Sequence, residues 1–172
     1  MPTPKPVAGE ILQPMSFPRL GGGEIEVGGT RDRWTLLVVY RGKHCPRCKK
    51  YLNTLNDMRQ DWDEAGFDVA VVSADTEDKA RADQAEFGWG FDLGYGLSRD
   101  QMETLGLYVT QPLSDAETDT PFAEPGVFVL RPDGSQLMIA ISNGPSARPD
   151  LAELLSGMIF TKTNDRPPRG TL

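Results

Sequence analysis

Thr35-Leu36-Leu37-Val38-Val39-Tyr40-Arg41-Gly42-Lys43-His44-Cys45-Pro46-Arg47-Cys48 is the stretch that decides the fold. Its first half is a continuous apolar run, as in a central strand covered on both faces. Its second half holds both cysteines of the chain and, just before them, its single histidine. Beyond Cys48 the apolar residues Tyr51, Leu52, Leu55, Met58 and Trp62 recur at helical spacing, which predicts one long amphipathic helix ending near Ala65-Gly66, where glycine takes the left-handed cap. A C-x-x-C where a strand hands over to a helix points to dithiol–disulfide chemistry.

Outward from this point the pattern repeats. Residues 67–73 read as a second buried strand, Glu77 to Phe87 as a helix capped by Asp75-Thr76, Leu93 to Leu97 as turn-rich, and Ser98 to Leu105 as a short helix. Two apolar runs, Val127-Phe128-Val129-Leu130 and 137–141, flank Arg131-Pro132-Asp133-Gly134-Ser135, a turn sequence that makes them an antiparallel hairpin. Pro149 to Phe160 closes the fold as a helix. Upstream, 1–23 reads as an irregular surface arm and Glu24-Ile25-Glu26-Val27 as a short edge strand or hairpin arm; 161–172 reads as a loose tail. The 172 residues form one domain, of α/β class with a parallel β-α-β start.

Composition narrows the function classes. With 38% hydrophobic and 25% charged residues the chain is globular, and a net charge of −7 argues against nucleic acid. No run approaches the roughly 20 apolar residues of a membrane span, and the first residues lack a signal-peptide core, so the expected location is the cytoplasm. In that reducing compartment a four-residue disulfide loop has little structural value. Two cysteines and one adjacent histidine are too few for a closed zinc site. The expectation is therefore a redox pair with no metal and no cofactor.

At a helix N-terminus Cys45 would be the N-cap and Pro46 the first helical residue, where its missing N–H costs nothing. Unsatisfied N–H groups and the helix dipole favour a thiolate at Cys45. Arg41, Lys43, Arg47, Lys49 and Lys50 add cations, so the pKa of Cys45 is expected to be depressed. Cys48, which begins the apolar stripe, should be the more buried resolving thiol, with Arg47 favouring the reduced form and His44 tuning charge at the rim. Trp34, Trp62 and Trp89 read as packing residues, and 114–119 as an acidic flexible loop.

Three stretches carry a family resemblance: 38–48 with its C-x-x-C, Val72-Ser73-Ala74-Asp75, and 125–134 with Pro125-Gly126-Val127 and Pro132-Asp133-Gly134. A β-α-β half followed by a β-β-α half resembles the thioredoxin fold, and these stretches look closest to its peroxiredoxin-like branch, the alkyl hydroperoxide reductase and thiol-specific antioxidant family. The resemblance implies a thioredoxin-like three-layer α/β/α sandwich around a mixed sheet, over about residues 15–160. It implies a disulfide or hydroperoxide substrate, an external thiol reductant and a homodimer. Val38 and Gly42 stand where the family's peroxidases carry Pro and Thr or Ser. Pro125 stands in the place of an arginine that contacts the thiolate, as the cis-proline of thioredoxins does. In the resemblance Pro125 faces the cysteines, with its flanking backbone pairing with substrate and a cis peptide after Glu124 as one reading; a strand-entry proline with no contact to the site is the other. These departures put dithiol–disulfide exchange first and hydroperoxide reduction by Cys45 second. A non-catalytic thioredoxin-like binding domain is the alternative of another class.

Overall fold

The computed structural model describes residues 4–172, so the first three residues of the 1–23 arm lie outside the described residues. Its centre is β3 (Trp34–Val39), which pairs in parallel with β4 (Phe67–Val72) and antiparallel with β8 (Gly126–Leu130). β5 (Asp92–Gly94) and β9 (Gln136–Ile141) complete a mixed sheet in the order β5-β4-β3-β8-β9. The apolar run of β3 supplies both faces, because alternate side chains point to opposite sides. Leu36, Val38 and Tyr40 enter one core with the cysteines, and Leu37 and Val39 enter the other.

The first core is covered by α1 (Pro46–Asp57), α2 (Arg59–Glu64) and α5 (Leu151–Thr163), with α3 (Glu77–Phe87) contributing Ala80. The second is closed by α4 (Arg99–Thr104) and the hairpin of β1 (Met15–Pro18) with β2 (Glu24–Val27), through Met102, Phe17, Ile25 and Val27. This is the thioredoxin-like α/β fold with a mixed central sheet. No helix among the described residues is long and apolar enough to cross a membrane.

Several local readings change. The long helix after Cys45 breaks at Met58 (φ −95°, ψ 0°) into α1 and α2. Asn56, next to the break, accepts hydrogen bonds at Oδ1 from Gly90 N (2.7 Å) and from Arg59 (2.9 Å), bonds that tie the helix to the chain before β5. The 1–23 arm is not wholly irregular, since Met15–Pro18 pairs with Glu24–Val27 across the Gly21-Gly22-Gly23 turn. The turn-rich 93–97 segment begins as β5, and the 108–124 segment holds a small ladder of β6 (Val109–Thr110) with β7 (Phe122–Ala123). The closing helix starts at Leu151 rather than Pro149, with Asp150 as its cap, and runs three residues into the expected tail, to Thr163.

The β8–β9 turn locks the two layers together. Asp133 Oδ1 accepts from Ser135 N and Oγ, and Gly134 lies against the Gly28-Gly29 turn that follows β2. Gly134 has φ +87°, and a Cβ there would sit 2.7 Å from Gly29 O. Gly134→Ala is therefore expected to cost more than about 1 kcal/mol from a left-handed backbone and a backbone clash together. Urea unfolding should show a lower midpoint at unchanged slope.

Candidate active site

The end of β3 delivers the site. After Val39 the chain leaves the sheet through Tyr40, Arg41 and Gly42, and α1 begins one residue past Cys45. Cys45 is the N-cap with extended backbone (φ −106°, ψ 103°), and Pro46 opens the helix. The Cys45 sulfur accepts a hydrogen bond from Cys48 N at 3.3 Å, doing the work of a capping oxygen. Both residues are free thiols, Cys45 2% and Cys48 0% exposed.

The two sulfurs are driven apart in acidity. Cys45 falls well below the ordinary thiol range, to about 6. The largest cause is the hydrogen bond from the Cys48 thiol; burial opposes it, and the Cys48 N–H and the Arg41 guanidinium add to it. Cys48 moves up because its proton is held by the Cys45 sulfur and because it is buried. One proton shared by two sulfurs thus leaves a thiolate at Cys45 and a thiol at Cys48 near neutral pH.

Of the five cations expected around Cys45, Arg41 is the one that acts on the sulfur. Its Nε lies 3.0 Å from Glu124 and its second contact, to Glu117, is 3.5 Å. Glu124 is 3% exposed and also accepts from the Thr110 hydroxyl at 2.7 Å. Arg41 further stacks over Phe122 at 4.8 Å. Lys49 turns instead to the buried Asp83 at 3.6 Å, and Arg47 and Lys50 lie on the outer face of α1. Arg148, from the chain before α5, lowers the pKa of Cys48 from the far side, a contribution the sequence reading did not contain.

His44 is half-buried, its ring 4.5 Å from that of Phe122 and both nitrogens without partners. Burial, then Arg41, lowers its pKa, which favours the uncharged imidazole. Pro125 is buried directly before β8, and its peptide with Glu124 is trans, as are all peptide bonds among the described residues, so of the two readings left open for this residue the cis one does not hold. The backbone on either side is engaged: Glu124 N donates to Tyr108 O and Pro125 O accepts from Ser142 N. Tyr108, just before β6, and Ser142, just after β9, thus occupy two of the backbone groups a substrate strand would pair with there.

Gly42 has φ +131°, and a Cβ on it would lie 2.5 Å from Asp75 Oδ1. Asp75, 6% exposed, accepts from Lys43 N at 2.8 Å. The buried carboxyl therefore fills the space that a hydroxyl residue at position 42 would need. Among the described residues no group of three or more His, Cys, Asp or Glu could hold a metal ion.

The fold and the paired thiols define a thioredoxin-fold thiol oxidoreductase. The AhpC/TSA family model matches residues 8–135, more than half of the chain, and the chain belongs to that family. It is accordingly a thiol-dependent oxidoreductase of the antioxidant class. Among solved structures it is similar to a peroxiredoxin-like protein from Aquifex aeolicus (17% identity, 90% of this chain and 86% of that one, TM-score 0.76). It is also similar to AhpC of Mycobacterium tuberculosis (13% identity, 95% and 96%, TM-score 0.73) and to the peroxidoxin BcpB of the same organism (12%, 93% and 97%, TM-score 0.69). At these identities the likeness speaks for the fold. A sequence search of curated proteins gives no match.

A depressed Cys45 pKa has a direct signature. The ultraviolet thiolate absorbance should titrate with a midpoint of about 6 and be essentially complete at pH 8. Arg41→Gln removes one of its supports, so the midpoint should rise and the thiolate fraction at pH 6 should fall. An unmoved midpoint would mean that Arg41 serves only Glu117 and Glu124.

Proposed function

We propose that the protein is a cytoplasmic, single-domain dithiol oxidoreductase in which Cys45 attacks and Cys48 resolves. The observation that carries this reading is the pairing at the start of α1: the Cys48 N–H donates to the Cys45 sulfur at 3.3 Å, and the neighbouring Cys48 side chain and Cys45 pull each other's acidity apart, Cys45 down and Cys48 up. In exchange, the Cys45 thiolate forms a bond to one sulfur of a substrate disulfide and expels the other as a thiolate. Cys48 then attacks Cys45, its proton passing to the second departing thiolate. The substrate gains two electrons and the protein holds a Cys45–Cys48 disulfide, which an external thiol reductant reopens. Pro46 helps by starting the helix without an N–H to satisfy, and Arg41 by its charge. Arg47, exposed between the cysteines, and His44 border the approach. Pro125 acts by placing Glu124 against Arg41. The family resemblance supports a homodimer.

Hydroperoxide reduction is the second reading, favoured by Arg41 at the Cys45 sulfur. There the thiolate takes the terminal peroxide oxygen as the peroxide's own hydrogen leaves with the alcohol or water; the sulfenate so formed takes a proton from solvent, and the sulfenic acid condenses with Cys48 to give the disulfide and water. Arg41 supplies the cation that the position before β8 lacks.

The roles separate by mutation. Cys45→Ser should abolish turnover of small disulfides, and Cys48→Ser should accumulate a mixed disulfide at Cys45 visible by mass. Turnover surviving in Cys45→Ser would remove its nucleophilic role. In single-turnover mixing with hydrogen peroxide, oxidation of Cys45 orders of magnitude faster than a free thiol would put the peroxidase reading first.

A further inference from the structure

A groove of about 330 Å³ lies between the outer face of α1 and the chain leading into α5; the cysteines themselves do not line it, but Arg47, the residue between them, and Arg148, whose charge acts on Cys48, both do. Arg47, Lys50, Tyr51 and Thr54 line one wall, at the three- and four-residue spacing of one helix face, beginning between the two cysteines. Pro145, Arg148, Pro149 and Leu151 line the other. Arg148 is fixed there: its guanidinium stacks over the Tyr51 ring at 4.8 Å and donates to Pro145 O, and Tyr51 in turn donates to Pro149 O at 2.8 Å. One guanidinium nitrogen of Arg148 is buried and has no partner.

Three cations thus line one groove of a protein whose net charge is −7. Its one carboxylate, Asp150, is already committed to capping α5 through Glu153 N at 2.9 Å. None of the three cations forms an ion pair with a carboxylate among the described residues, whereas Arg41 and Lys49, on the other side of the cysteines, both do. Unpaired positive charge lining a groove favours an anionic ligand.

We propose that this groove binds the carboxylates of a small anionic thiol or disulfide of the glutathione class and aims its sulfur at the Cys45–Cys48 pair. The proposal rests on the dithiol reading. Cys45 exchanges with the disulfide, expelling one tripeptide thiolate; Cys48 expels the second, and the two electrons of the dithiol pass to the ligand. The same groove serves the reverse flow, in which two anionic thiols reopen the protein disulfide and are themselves oxidised. Tyr51 and the two prolines give the peptide stem an apolar wall, and the volume suits a single tripeptide.

The test compares oxidation of the reduced protein by glutathione disulfide, which is anionic, and by cystamine, which is cationic, each divided by its rate with a free small thiol. At low salt the ratio should favour glutathione disulfide by about tenfold and shrink as salt screens the groove. Lys50→Glu, at an exposed site, should collapse or reverse that ratio, and Arg148→Gln should lower it. Binding of S-methylglutathione, which cannot exchange, gives a readout independent of redox activity: wild type should bind it and Lys50→Glu should bind it weakly or not at all. Binding of S-methylglutathione with no oxidation by either disulfide would keep the groove and overturn the dithiol reading. Oxidation at equal normalised rates, with no binding of S-methylglutathione, would overturn the groove and leave the dithiol intact.

Discussion

The antiparallel register of β3 and β8, with Val39 opposite Gly126, governs both the fold and the site. It fills the middle of the sheet with side chains buried on both faces, and continued beyond the ladder it sets Arg41 across from Glu124. A slip of one residue would exchange the two cores, sending Tyr40 and Val38 away from the cysteines and Val39 towards them. It would also part Arg41 from its buried carboxylate, leaving Glu124 charged and unpaired at a steep energetic cost. The same register fixes where α1 can start, and with it the position of Cys45.

Within that frame the chemistry arises from short-range geometry more than from net charge. The chain is acidic, yet it lowers the pKa of a buried thiol, because the donors are local: one thiol, one backbone N–H and one guanidinium. Two carboxylates hold that guanidinium and dilute its field, which agrees with the Cys48 hydrogen bond being the largest cause of the shift. The cations on the outer face of α1 act elsewhere, on what approaches the site.

Much of this was legible in the sequence. The β3 run, the C-x-x-C cap with Pro46, the helix over 77–87 and the Pro132-Asp133-Gly134 hairpin are local signals, set by periodicity and turn chemistry, and the structure agrees with them. The break at Met58 was not legible, because it is tied to Gly90, which lies far along the chain. β1, β6 and β7 are two to four residues long and exist through their partners, so no periodicity announces them. At the site, Glu117 and Glu124 escaped notice for the same reason: their role is set by long-range pairing with Arg41. Gly42 read as the loss of a hydroxyl; the structure shows a backbone angle and a carboxyl neighbour, Asp75, that demand glycine.

The central claim is that Cys45 and Cys48 cycle as one two-electron unit. A redox titration of the purified protein against glutathione and dithiothreitol buffers, read by mass, tests it most directly. The account predicts a reversible loss of two hydrogens with a midpoint in the roughly −180 to −270 mV range of exchange proteins. A protein that stays a dithiol, or that takes up only external thiols, at every potential would contradict it.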